Sequence, residues 1–193
     1  MPTTETVIPP HLIFAANTLY AVLGDLYALD PGDGKLLRHY PIDGISELAV
    51  ADSMLYVNVT KLHSYTVQAF RASAGELLWQ YVAESCLVGA PVIADGVVYV
   101  GTGGGIDEGS IRALRASDGT LLWKYTIESD EVETGRKPIL FASPTVANGI
   151  VYVSTSANPP LRSYVYALDA STGALFWQAA LPESTSQELT FLG

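Results

Sequence analysis

Three stretches of the sequence hold residue types dense enough to suggest chemistry. Gly101-Thr102-Gly103-Gly104-Gly105 has the composition of a phosphate-cradling loop. Such loops work when a helix follows and offers the free N–H groups of its first turn to the anion. Here a strand-like run follows, and the phosphate-binding lysine is missing, so the glycines read as a turn. Asp107 and Glu108 beside them are of the right type to hold a cation, but two adjacent carboxylates make no complete calcium loop. A solvated turn is the simpler reading. The third stretch, Glu128, Asp130, Glu131 and Glu133 followed by Arg136 and Lys137, reads as a solvated loop or as a docking site for a partner of complementary charge.

The remaining reactive residue types are scattered. His11, His39 and His63 stand at unrelated places, which argues against one metal site. Cys86 is the sole cysteine, so neither an intrachain disulfide nor a Cys-based zinc site can form. It reads as a small buried hydrophobe. Neither a Gly-x-Ser-x-Gly elbow nor a His-Glu-x-x-His helix occurs. The residues therefore point to no catalytic group, no cofactor-binding set and no metal site.

Composition describes what must position these stretches. The chain has 193 residues, 49% apolar and only 16% charged, with a mean hydropathy of +0.26. That is enough apolar material for a substantial core and excludes intrinsic disorder. No apolar run approaches the ~18 residues of a membrane-spanning helix, and the start, MPTTETVIPPHLIFAA, shows no secretory leader pattern. The expectation is a soluble domain without a membrane span. Twenty acidic against ten basic residues give a formal charge of -10, which repels phosphate backbones and disfavours a nucleic-acid partner.

Four segments of the chain align without gaps. Ala28-Leu-Asp30-Pro-Gly-Asp-Gly34-Lys-Leu-Leu-Arg38 is the first, and Ala69-Phe-Arg71-Ala-Ser-Ala-Gly75-Glu-Leu-Leu-Trp79 the second. Ala113-Leu-Arg115-Ala-Ser-Asp-Gly119-Thr-Leu-Leu-Trp123 and Ala167-Leu-Asp169-Ala-Ser-Thr172-Gly173-Ala-Leu-Phe-Trp177 complete the set. The shared glycines lie 41, 44 and 54 residues apart. Upstream of each segment is a hairpin signal: Asp95-Gly96 and Asn148-Gly149 between alternating apolar runs, and weaker versions at Asn17-Thr18 and Asp52-Ser53. No helical periodicity exceeds one turn. In the third unit the pattern places strands near 87–94, 97–102, 110–116 and 120–127. Four-stranded units at this period are propeller blades, each of which needs a neighbour to bury its faces. The predicted fold is all-β, with four four-stranded antiparallel blades at about 5–42, 45–83, 86–127 and 139–182. They form one domain over 5–182, and 183–193 is a tail or the entry to a further blade.

The motif Ala-x-Asp-x-x-Thr-Gly-x-x-x-Trp resembles the tryptophan-docking motif of pyrroloquinoline-quinone-type propeller repeats. Ala167, Asp169, Thr172, Gly173 and Trp177 match it throughout. The second and third units carry Arg71 and Arg115 at the Asp position, and the first has Arg38 in place of Trp. The resemblance implies that Trp79, Trp123 and Trp177 dock between blades, with Gly34, Gly75, Gly119 and Gly173 ending left-handed turns. Quinone-dependent members of the family hold their cofactor with calcium, yet no calcium-ligand set maps onto this chain. Others, similar to the outer-membrane assembly lipoprotein propeller, are non-enzymatic scaffolds, and this resemblance favours an extracytoplasmic location.

The functional expectation is a non-enzymatic protein-interaction module, with a protein partner held on the loop-rich face and no cofactor. The alternative is a quinone- or small-molecule-binding module of a quinoprotein-type oxidoreductase. Loops vary freely on the face shared by the B–C and blade-to-blade connections. The candidate partner-binding residues there are Lys61, His63, Asp107, Glu108, Asp130, Glu131, Arg136, Lys137, Asn158 and Arg162. Family rings commonly have eight blades, so four leave two open sides. The sequence suggests a homodimer closing an eight-bladed ring, or the remainder of a longer chain, ahead of a tight four-bladed ring.

Overall fold

A computed structural model of the chain describes residues 11–62, 64–104, 107–127, 139–140, 142–156 and 163–181. Alternating apolar residues and tight turns give four successive antiparallel sheets. The first is β1 (His11–Ala15), β2 (Thr18–Leu23), β3 (Asp25–Leu29) and β4 (Leu36–Tyr40), paired in chain order. The second is β5 (Ile45–Ala51), β6 (Met54–Lys61), β7 (Ser64–Arg71) and β8 (Glu76–Ala83). The third is β9 (Leu87–Ala94), β10 (Val97–Gly104), β11 (Asp107–Arg115) and β12 (Leu121–Thr126). In the fourth, the inner edge is split into β13 (Ile139–Leu140) and β14 (Thr145–Ala147), both paired with β15 (Ile150–Ser156). β16 (Tyr164–Asp169) and β17 (Leu175–Ala180) complete it.

The sheets stack face to face, and the period of two divides each strand between two neighbours. Leu55 and Val57 of β6 join a buried cluster with Tyr20, Val22, Leu26 and Ala28 of the first sheet. Tyr56, between them, points the other way, into a cluster with Val98, Val100 and Leu114 of the third. Tyr99 repeats the switch and packs forward against Val151, Val153 and Leu168 of the fourth. The second and third blades thus each lend one face to the blade before and one to the blade after. The initial strands β1, β5 and β9 lie against one another, and β14 touches β9, so the blades fan from a common inner edge.

Two local expectations need correction. The first hairpin turns on Ala16 (φ 47°) and Asn17 (φ 54°), one residue before the Asn17-Thr18 read from sequence. Asp52-Ser53, Asp95-Gly96 and Asn148-Gly149 take the same paired positive φ angles where expected. In the third sheet, β10 reaches Gly104 and β11 starts at Asp107, so pairing runs through what reads as a glycine loop. The ladder absorbs the glycines through an irregularity between Thr102 and Gly104, where Gly103 has φ 136°.

Candidate functional site

The repeated motif residues lie at the seams between blades. Trp79, on the outermost strand of the second sheet, donates from Nε1 to the Ala116 carbonyl in the third at 2.8 Å. Trp123 donates to the Ala170 carbonyl in the fourth at 3.0 Å. Both are 8% exposed. The acceptors stand at one motif position, just inside the turn that ends in Gly119 or Gly173. Those glycines have φ +72° and +73°, and a Cβ on them would lie 2.5 and 2.6 Å from the indole. Glycine is required twice over at each: for the left-handed backbone and for the ring lying flat upon it.

The other two ends of the motif differ. Trp177 has no following blade among the described residues and is 46% exposed. The Gly34 turn of the first blade has no ring upon it, and a Cβ there would meet nothing within 4 Å. At the seam between the first and second blades Arg38 replaces the tryptophan, and Tyr40, two residues on, takes over. Its hydroxyl donates to the Ala72 carbonyl at 2.5 Å, while Arg38 Nη1 donates to the Ala74 carbonyl at 3.2 Å. The Tyr40 ring sits 3.4 Å from where a Cβ on Gly75 would be. Burial raises the Tyr40 phenol above its ordinary pKa. Beside it a cleft of about 320 Å³ opens, lined by Tyr20, Arg38, Tyr40, Ser53 and Ser73 among others.

The loop face carries a different set. At the tip of the β6–β7 hairpin, Lys61 reaches Asp43 at 3.5 Å, and Leu62 beside it is 89% exposed. Asp107 and Glu108 fall at the start of β11 rather than in an open loop. His63, Asp130, Glu131, Arg136, Lys137, Asn158 and Arg162 lie outside the described residues. Sequence reasoning missed the charged cluster on the connection between the second and third blades. Glu84 there accepts from Lys124 Nζ and from Arg112 Nη2, both at 2.9 Å. The Lys124 hydrogen bond and charge, then those of Arg112, hold the Glu84 carboxyl below the usual range. Arg112 is only 2% exposed and also donates to the Thr102 and Ser110 hydroxyls. Arg112 stands in a row of apolar strand residues, and the only sequence signal for the cluster was a charge breaking that alternation.

The other ionic groups have structural employment. Asp169 accepts from the hydroxyls and backbone N–H groups of Ser171 and Thr172, which hold its carboxyl below the ordinary range. Asp118 is lowered in the same way by the Thr120 N–H and then Arg115. His39 Nε2 lies 2.7 Å from Asp25 and its ring stacks on Tyr27, while His11 faces Glu47 at 3.9 Å. The histidines with described side chains are therefore not drawn together. Cys86, on the connection between the second and third blades, is half-buried rather than fully enclosed. Among the described residues no three His, Cys, Asp or Glu side chains gather where a metal could be held.

The comparisons with known proteins come out as follows. The family model described as outer membrane protein assembly factor BamB matches residues 22–193. The crystal structure of BamB from Moraxella catarrhalis is similar at 18% identity and TM-score 0.69, covering 93% of this chain and 51% of that one. Quinohemoprotein alcohol dehydrogenase ADHIIG from Pseudomonas putida HK5 is similar at 20% identity and TM-score 0.69, over 87% of this chain and 33% of that one. The computationally designed Ika4 protein is similar at 17% identity and TM-score 0.61, over 82% of this chain and 88% of that one. The chain thus spans about half the length of the first natural structure and a third of the second. No curated protein sequence matches it.

Proposed function

The chain belongs to the family described as outer membrane protein assembly factor BamB, and from that premise we propose that it is a non-enzymatic protein-interaction module. It holds a partner protein on the face formed by its B–C hairpins and blade-to-blade connections. The observation that carries this reading is the family match over residues 22–193. Two features of the described residues support it. The motif aromatics Trp79 and Trp123 are engaged as seams between blades, not presented to a ligand. Each carboxylate whose acidity is displaced is lowered by a turn or an ion pair, and none is raised toward the neutral form that acid–base chemistry uses. On the loop face, an exposed Leu62 beside the Lys61–Asp43 pair offers an apolar anchor with a polar rim.

The likeness to quinohemoprotein alcohol dehydrogenase favours the alternative, a quinone- or small-molecule-binding module of an oxidoreductase. One pair of experiments separates the two. A photo-crosslinking residue at position 62 should capture a discrete protein in the native host, whereas one at Ser117, on the opposite turn face, should not. Titration with pyrroloquinoline quinone and calcium should leave the tryptophan fluorescence unchanged. Equal capture at both positions, or at neither, contradicts the interaction reading. A saturable quinone response replaces it with the alternative.

A further inference from the structure

A row of paired residues recurs from blade to blade. Tyr56 pairs with Ala69 and Ala69 with Trp79 in the second blade; Tyr99, Ala113 and Trp123 do the same in the third. In both rows the indole packs on the tyrosine, with ring centroids 6.0 and 5.9 Å apart and planes tilted by 48° and 49°. The first blade repeats the row as Tyr20, Ala28 and Arg38. Its tyrosine and alanine are in register, and an arginine stands where the flat ring belongs.

The cleft of about 320 Å³ at this seam is walled by Tyr20, Ala28 and Ala72. These are the counterparts of the residues that an indole packs on, pairs with and donates to at the other two seams. The cleft therefore takes the place of a ring. Its volume lies at the lower end of the roughly 300–1,000 Å³ of small-molecule sites. The rest of its wall comes from tight turns, with Ser53 between β5 and β6 and Ser73 between β7 and β8, so it opens on the turn face, away from the loop face.

The polar groups at the cleft are donors in search of an acceptor. The Ala72 carbonyl is already taken by the Tyr40 hydroxyl. Of the described arginines, Arg71, Arg112 and Arg115 each face a carboxylate, from Glu76, Glu84 and Asp118. Arg38 has only the Ala74 carbonyl, 3.2 Å from Nη1, and a guanidinium carries five N–H donors. The Ser53 and Ser73 hydroxyls have no partner among the described residues. No acidic residue is among those lining the cleft, in a chain with twice as many acidic as basic residues. A guanidinium with hydroxyls beside it is suited to a carboxylate, which it can meet with two parallel hydrogen bonds.

We propose that this cleft binds a small planar aromatic carboxylate. The ring lies over Tyr20 and Ala28, as the indoles lie at the other seams. The carboxylate accepts from Arg38, with the Ser53 and Ser73 hydroxyls beside it. The site is on the turn face, and it stands independently of the partner proposed for the loop face.

The test is a titration of the isotopically labelled full chain with indoleacetate, followed through its backbone amide resonances. Indoleacetamide, with the same ring and no charge, is the comparison. Indoleacetate should give saturable shifts at Ser53 and Ser73 with a Kd of about 1 mM or tighter. The amide should bind at least about 10-fold more weakly, as expected for loss of a charge-assisted hydrogen bond. Arg38→Gln should reduce the acid to the affinity of the amide and leave the amide unchanged. Arg38→Trp completes the row, fills the cleft and should abolish binding of both. Leu62→Ala, at the loop tip, should bind as the wild type does. Amide spectra unchanged outside the seam exclude misfolding of the variants as the cause. No saturable shift, shifts centred away from this seam, acid and amide bound equally, or binding that survives Arg38→Trp overturns the proposal.

Discussion

The seam between the first and second blades and the seam between the third and fourth perform one task with different side chains. At the latter, an indole from the motif position reaches the Ala170 carbonyl and covers Gly173. At the former, the motif position holds Arg38, and Tyr40 reaches the matching Ala72 carbonyl from two residues further along the strand. Residues two apart on a strand share a face, so the hydroxyl arrives from the correct side. The phenol ring is smaller and approaches from elsewhere. A cleft of about 320 Å³ lies beside it and Arg38, and the ring is 3.4 Å from where a Cβ on Gly75 would be, against 2.5–2.6 Å for the indoles over Gly119 and Gly173. What is repeated from seam to seam is an aromatic hydrogen-bond donor meeting a turn carbonyl, and the identity of the ring sets how tightly the turn glycine is pinned.

The substitution with the largest expected effect is the one at the tight seam. Trp123→Ala should lower unfolding stability by about 3–5 kcal/mol, the usual cost of emptying a buried aromatic site. A loss below about 1 kcal/mol would show that the indole does not hold the blades. Glycine substitutions sharpen the contrast between occupied and open turns. Gly34→Ala and Gly119→Ala both incur the roughly 1–2 kcal/mol of a left-handed alanine. Only Gly119→Ala adds a clash with Trp79, of about 1–3 kcal/mol. Equal thermal unfolding shifts for the two would break the comparison. The smallest effect belongs to the loose seam: Tyr40→Phe removes one hydrogen bond and keeps the ring, for a loss of about 0.5–1.5 kcal/mol in denaturant titration. A loss as large as that of Trp123→Ala would mean that the two seams are not graded as their packing indicates.

The architecture was readable in the sequence because its turns constrain residue type. A left-handed residue under an aromatic ring must be glycine, and this fixes Gly75, Gly119 and Gly173 in register with the strands around them. The Asp-Gly and Asn-Gly hairpins are legible for the same reason. The substitution of Tyr40 for the missing tryptophan was hidden, since a motif aligned by position does not record a donor arriving from two residues away. The pairing of Gly103 and Gly104 was hidden too, because glycine carries no side chain whose alternation would betray a strand. Of the candidate loop residues, Lys61 meets Asp43, while the exposure of Leu62 beside it follows from hairpin geometry and not from its type. The Glu84–Arg112–Lys124 cluster joins two strands of the third blade to the connection before it, and no local pattern announces that convergence.

The central claim is that a docked aromatic seals each seam between the described blades. Acrylamide quenching of three variants, each keeping a single tryptophan, reads this directly. Trp79 and Trp123 should be protected, in keeping with their 8% exposure, and Trp177, 46% exposed, should be quenched. Equal quenching of all three would contradict the account.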